Sequence, residues 1–180
     1  MENLTYADVK RQSEAVFGQF GQSTWIPYAK ENAVHPNRRD PRELANCGVG
    51  KTLLCVGFGA SLEDNIEAIK KYRNCVDIVC VDKALKPLLE HGITPDYVMM
   101  ADCNIVWPKW APLEEQTRGI KLIATPYAHV TWTRRWQGPI YFYVNRDAIK
   151  TEEVFLEIMG HKTRTIPASS NVANAQTVFF

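Results

Sequence analysis

With 180 residues, 46% of them hydrophobic, the chain is long enough to bury a core and short enough to be one domain or one domain with an appendage. Twenty-one basic residues against 20 acidic ones leave a net charge of +1, which excludes a whole-molecule field for nucleic acid or anionic lipid, so neither partner is expected. Five cysteines (Cys47, Cys55, Cys75, Cys80, Cys103) are odd in number, lack Cys-x-x-Cys spacing and read as reduced thiols. With no basic region leading into an apolar run at the start, and no apolar segment near the ~20 residues of a membrane span, a cytoplasmic location is expected.

Thr5-Tyr6-Ala7-Asp8 reads as a capped start, and Val9, Ala15, Val16 and Phe20 give an amino-terminal helix of three or four turns ended by Gly18 and Gly21. Ser23 to Ala45 reads as a long irregular connection holding Trp25, Pro27, Pro36 and Pro41. Its cluster Arg38-Arg39-Asp40-Pro41-Arg42 is either a solvated loop, the favoured reading, or a grip for phosphate oxygens. Residues 1–46 thus form a helix and extended loop ahead of a domain spanning 47–180. Gly48-Val49-Gly50-Lys51-Thr52 imitates a phosphate-binding loop, but Ala45 stands where the first glycine belongs. Lys51-Thr52 also opens a strand rather than a helix.

From Thr52 strands alternate with helices. Thr52-Leu53-Leu54-Cys55-Val56 runs into Gly57-Phe58-Gly59-Ala60-Ser61, then a helix with Leu62, Ile66 and Ile69 on one face. Gly57 and Gly59 permit a sharp turn and a close ligand approach, Ser61 with Asp64 makes a capping-box pattern, and the free N–H groups at the helix start suit a phosphate or a carboxylate. Leu62 occupies the place of the third glycine of a dinucleotide fingerprint, which disfavours a nicotinamide or flavin dinucleotide. The bland alternative is a tight turn with no ligand.

A second strand, Asp77 to Val81, ends at Asp82. A short helix through Lys83 and Pro87 closes at Gly92. Ile93-Thr94-Pro95-Asp96 turns into a third strand, Tyr97 to Ala101, which ends at Asp102. Asp96 taken alone reads as a turn residue rather than a ligand-facing acid. If the second and third strands are neighbours, ~4.8 Å apart, Asp82 and Asp102 share one crevice and can hold a single magnesium ion, which takes one or two carboxylates plus phosphate oxygens. Alternatively each caps the segment that follows it.

Trp107-Pro108-Lys109-Trp110 and a helix through Gln116 lead to strands at Lys121–Thr125 and Ile140–Val144. Between these, Trp132 and Trp136 stand one helical turn apart beside Arg134 and Arg135, a pattern that serves core packing more often than stacking of a heterocycle. His35, His91, His129 and His161 have no metal-ligand spacing, so zinc is not expected. A helix over Thr151–Met159 ends at Gly160, an extension follows at Thr163–Ile166, and Ser169, Ser170 and Asn171 cap a last helix running to Phe180. That helix presents Val172, Ala175, Val178 and Phe179 as an apolar surface in need of cover, so self-association or lower stability than a longer version is expected, with Phe179 and Phe180 buried against the sheet or another copy. The pattern predicts a Rossmann-like three-layer α/β sandwich with a mostly parallel sheet, preceded by the amino-terminal helix and loop.

Gly57-Phe58-Gly59-Ala60-Ser61-Leu62, Val81-Asp82-Lys83-Ala84-Leu85 and Leu89-Glu90-His91-Gly92-Ile93-Thr94-Pro95-Asp96-Tyr97-Val98 with Asp102 together resemble the core of the archaeal-type 6-hydroxymethylpterin pyrophosphokinase-like family. The same Rossmann-like domain occurs in the flagellin glycosyltransferases called motility accessory factors, and the Gly-Ile-x-Pro-Asp stretch is similar to that of thiamine pyrophosphokinases. Members usually carry proline where this chain has Ala60, and a further strand with a glycine and an aspartate after the last helix, so the chain reads as a fragment or a shortened member. The resemblance implies Mg2+ held by Asp82 and Asp102 as the catalytic pair, with ATP or a nucleotide sugar as co-substrate. It places phosphates on Gly57, Gly59, Ala60, Ser61, Lys83, Ser169, Ser170 and Asn171, and a small-molecule acceptor near Asp96 and Asn104. Three functions follow: diphosphate transfer to a hydroxymethylpterin-type alcohol, glycosyl transfer from a nucleotide-activated sugar, and a nucleotide-binding module without catalysis.

Overall fold

The computed structural model describes residues 11, 15, 18–19, 21–146 and 149–167. Six strands, β1 (Thr52–Val56), β2 (Val76–Val81), β3 (Tyr97–Met100), β4 (Lys121–Ala124), β5 (Ile140–Arg146) and β6 (Arg164–Pro167), pair in chain order β1-β2-β3-β4-β5-β6. Every pairing is parallel, with Thr52 opposite Val76, Val81 opposite Met99, Met99 opposite Ile123, Ala124 opposite Phe142 and Tyr143 opposite Arg164. The expected α/β architecture with a parallel sheet is therefore observed. Strands β2 to β5 are buried almost throughout, as the near-continuous apolar runs require of a sheet covered on both faces.

Period-two alternation divides the core. Ile78, Cys80, Val98, Met100, Leu122, Ala124, Ile140 and Phe142 point to one face and pack with Leu62, Ile66 and Ile69 of α2 (Ser61–Tyr72) and Ala84, Leu85 and Leu88 of α3 (Asp82–Glu90). The same layer takes Trp107 of α4 (Trp107–Trp110), Trp132 of α5 (Val130–Arg135) and Met159 of α6 (Ile149–Met159). Val79, Tyr97, Met99, Ile123, Tyr141, Tyr143 and Ile166 point the other way, where the described cover is Leu44, at the end of a 3-10 turn over Pro41–Leu44, and Cys47.

Trp132 and Trp136 are completely or almost completely buried, stacked at 6.3 Å, with Trp107 edge-on at 5.1 Å to the first, so the core reading of these tryptophans holds. Trp136 Nε1 donates to the Ile120 carbonyl at 3.1 Å, and Gly138 lies so close that an added Cβ would meet the Ile120 oxygen at 2.1 Å.

The amino-terminal segment differs from expectation. Gly18 and Gln19 are helical, Gly21–Trp25 forms a π-helical turn, and α1 (Ile26–Ala33) replaces much of the expected loop. Pro27 lies in the first turn of α1, where its missing N–H costs nothing, so it starts a helix instead of breaking one. Buried Asn32 then locks α1 to the loop after β4: its Nδ2 donates to the Pro126 and Ala128 carbonyls at 2.7 and 3.1 Å, and its Oδ1 accepts from Thr133 Oγ1 at 2.7 Å. The expected capped start at Thr5–Asp8 and the last helix with Ser169, Ser170, Asn171, Phe179 and Phe180 lie outside the described residues. No helix among the described residues is long and apolar enough to cross a membrane.

Candidate functional site

Six parallel strands bring all their carboxyl ends to one edge, and the segments leaving β1, β2 and β3 there carry the glycine turn, Asp82 and Asp102. Gly57, Phe58, Gly59, Ala60 and Ser61 are all exposed. The turn closes by a 3.0 Å bond from Leu62 N to the Gly59 carbonyl, and Ala60 already has helical angles. Ser61 is consequently the first residue of α2 and makes no side-chain cap, contrary to the capping-box expectation; Ala60, one place earlier, has no side chain to offer. The first N–H groups of α2 are left without a side-chain acceptor.

Val81 pairs with Met99, so Asp82 and Asp102 emerge from adjacent strands just past the last paired residues. Asp82 is only 5% exposed, and its Oδ1 accepts from Lys83 N at 2.6 Å. Burial pushes its carboxyl up to about 6, the Lys83 backbone and charge oppose this, and the Asp102 charge adds to it. The Asp102 contribution, the smallest of these, reflects a second carboxylate near the first. Asp102 is exposed, and its Oδ1 accepts from Asn104 N at 2.7 Å, which turns the loop back on itself. Thr125 Oγ1 braces the same loop by donating to the Ala101 carbonyl at 2.9 Å.

Each acid spends one oxygen on a backbone N–H, and its other oxygen has no hydrogen-bond partner among the described residues. This pair fits a divalent cation that draws its remaining ligands from phosphate and water, which is how magnesium binds. It does not make a closed protein cage, since no cluster of three or more His, Cys, Asp or Glu side chains occurs among the described residues.

Asp96 is not at this edge. It precedes β3, at the amino ends of the strands, where Oδ1 accepts from Arg73 Nη2 at 3.1 Å and Oδ2 from Ile78 N at 2.8 Å. These bonds match the turn reading that its Pro-Asp context favours and set Asp96 apart from the carboxyl-edge acids. Asn104 stays beside Asp102, and Lys83 follows Asp82 in the first turn of α3. Ser169, Ser170 and Asn171 lie outside the described residues.

The Arg38–Arg42 cluster is committed elsewhere. Arg38, half-buried, donates to the carbonyls of Ala33, Met159 and Lys162, and Arg42 pairs with Asp40. Lys51 of the imitation phosphate loop pairs with Asp77 at 2.9 Å. Arg38 is thus a structural clamp, while Arg42 and Lys51 hold exposed ion pairs.

Several residues at the carboxyl edge escape a reading by motif. Trp25 stacks on Tyr127 with centroids 4.5 Å apart, and its Nε1 donates to Cys103 Sγ at 3.2 Å, so the loop after Asp102 is walled by the π-helical turn ahead of α1 and the loop after β4. On the other flank Phe58 meets Trp110 edge-on at 5.9 Å. The available signal was positional: Trp110 and Tyr127 follow parallel strands, and such segments return to the carboxyl edge.

With this arrangement in hand, the family comparison is decisive: the profile described as 6-hydroxymethylpterin diphosphokinase MptE-like matches residues 28–178. The chain belongs to the MptE-like family. Among solved structures, this MptE-like chain is similar to the MAf glycosyltransferase from Magnetospirillum magneticum AMB-1, at 20% identity and a TM-score of 0.57. The likeness covers 87% of the chain but 26% of the larger protein, so the chain spans about a quarter of that neighbour's length. No curated protein matches the MptE-like chain.

Proposed function

We propose that the carboxyl-edge crevice is the active site of a magnesium-dependent transferase that takes a nucleotide as donor, and that its reaction is diphosphate transfer from ATP to a hydroxymethylpterin-type alcohol. The observation that carries the reading is the pairing of Asp82 and Asp102 on adjacent strand ends beside an open glycine turn, in a chain of the MptE-like family. Gly57, Gly59, Ala60 and Ser61 receive phosphate oxygens on backbone N–H groups at the start of α2, and Lys83 adds a charge from the start of α3. Asp82 and Asp102 would hold the metal, which supplies neutralisation of the charge developing on the transferred group. The acceptor lies on the Asn104 side, where Asp102 and Asn104 orient its hydroxyl. The hydroxyl gives up its proton to solvent as its oxygen bonds to the β-phosphorus of ATP, the bond from that phosphorus to the α,β-bridging oxygen breaks, and AMP leaves with that oxygen.

Glycosyl transfer from a nucleotide-activated sugar is a second reading, supported by the likeness to the MAf glycosyltransferase. One experiment separates the two. The protein with hydroxymethyldihydropterin, ATP and magnesium should release AMP and not ADP, and Asp102→Asn should weaken metal-dependent nucleotide binding at least tenfold, about 1.4 kcal/mol. Release of a nucleoside phosphate from a sugar nucleotide alone would establish the second reading. Metal-independent nucleotide binding, indifferent to Asp102→Asn, would refute both and leave a non-catalytic binding module.

A further inference from the structure

The proposed donor site lacks an account of what holds the nucleoside, because the glycine turn and the acids address phosphate only. One cluster at the same edge is shaped for that part. Phe58, between the two glycines, is 52% exposed, and it and Tyr72 are the only exposed aromatic side chains among the described residues. One edge of the Phe58 ring packs on Trp110, and the exposed remainder leaves apolar surface at the turn that a flat ligand could cover. Phe58 lines a groove of about 540 Å³, large enough for a nucleoside, between β1 and α2, together with Gly57, Gly59, Ser61, Leu54 and Ile69.

The second component is charge. Trp110 braces Phe58 edge-on, and the same indole gathers two ammonium groups, Lys83 Nζ at 5.2 Å and Lys109 Nζ at 5.1 Å from its ring centre. Neither lysine forms an ion pair among the described residues. Two ammonium groups drawn to one ring, with Lys83 also feeling the Asp82 carboxyl, place positive charge beside the turn and next to the acid pair, where a polyphosphate carrying a cation would meet both signs. Lys83 and Lys109 come from the segments after β2 and β3, and Phe58 from the segment after β1, so three consecutive strand ends build the cluster.

We propose that Phe58 is the stacking platform for the base of the donor nucleotide, that Lys83 and Lys109 contact its phosphates, and that Trp110 is the positioning residue that holds all three. The assignment rests on the nucleotide-donor reading above and adds the residues that read the nucleoside. A π-face accepts purine and pyrimidine alike, so the platform confers affinity for a nucleoside phosphate more than choice of base.

The test uses calorimetry of the whole chain with magnesium, with AMP, ATP and inorganic pyrophosphate as probes, on Phe58→Leu and Lys109→Gln. Leucine keeps an apolar side chain at an exposed position, and Lys109 is exposed, so both variants should fold; circular dichroism and melting confirm it. Phe58→Leu should weaken AMP and ATP by at least about fivefold, the low end of base–aromatic stacking, and leave pyrophosphate unchanged. Lys109→Gln should weaken ATP and pyrophosphate alike and flatten the salt dependence. AMP and ATP affinities indifferent to Phe58→Leu overturn the platform, while a concurrent loss on Asp102→Asn leaves the donor site standing. Affinity that falls with Phe58→Leu but ignores Asp102→Asn and magnesium supports the platform and removes the metal-dependent transferase. A wild-type chain that binds none of the probes overturns both.

Discussion

The burial of Asp82 makes a sharp prediction about stability. A carboxyl raised from 3.8 to about 6 is disfavoured as an anion in the folded chain by roughly two units, which at 1.36 kcal/mol per unit amounts to about 3 kcal/mol when the group is fully ionised. Between these two values the folded state binds more protons than the unfolded one, so Asp82 costs nothing below about pH 4 and its cost grows as pH rises through about 6. Asp82→Asn removes the charge yet keeps an oxygen able to accept from Lys83 N, so it should stabilise the chain by about 1–3 kcal/mol at pH 8 and by little at pH 4. Urea denaturation of both proteins at the two pH values measures this, and melting should show a rise of about 2–4 °C per kcal/mol. Magnesium with nucleotide should narrow the gap at pH 8 by stabilising only the wild type. A variant no more stable at pH 8, or a difference independent of pH, would refute the reasoning.

Asp96→Ala should destabilise the chain by about 1–3 kcal/mol through loss of the bonds from Arg73 and Ile78 N while leaving nucleotide affinity intact; a loss of affinity at unchanged stability would return Asp96 to the site. Arg38→Lys cannot reach three carbonyls with one ammonium and should cost about 1–3 kcal/mol in denaturation, with nucleotide binding unaltered. Gly138→Ala should destabilise by about 1–3 kcal/mol or more, because its methyl would press on the Ile120 and Thr117 carbonyls; a neutral effect in thermal melting would show that the Trp136 corner yields.

The parts of this fold that can be read from residues are those in which one local pattern decides the outcome. The strand at Thr52–Val56 and the α2 face of Leu62, Ile66 and Ile69 emerge as their periodicity dictates, and the Gly-Lys-Thr run is exposed as an imitation by its position before a strand. Segment 21–33 is misread because Pro27 signals either a break or a helix start, and the choice is made by Asn32, whose partners lie about a hundred residues away. Asp82 and Asp102 can be placed at one edge from sequence alone, since parallel strands share a direction. The burial of Asp82 cannot, because it depends on what α3 and the later loops pack around it. Phe58, Trp110 and Tyr127 have no motif; they become visible only when the strands are set side by side.

The chain-order sheet also bears on how the protein reaches this structure. Each strand finds its partner about twenty residues downstream, Thr52 with Val76, Val79 with Tyr97, Tyr97 with Lys121, Leu122 with Ile140, and Tyr143 with Arg164. Within the six-stranded sheet no pairing waits for a distant segment, so its loop-closure entropy is met in small instalments, while the Arg38–Ile140 bridge and the Asn32 bonds join segments far apart in sequence. Growth can proceed by addition of one strand–helix unit at a time, in the manner of a repeat array. The glycine turn, both acids and the Phe58–Trp110 pair are in place once the β1, β2 and β3 units have docked, and Thr125, Tyr127 and Trp25 then close the wall. The donor pocket would form before β5 and β6 are in place, and ligand present during synthesis would stabilise a partly folded chain.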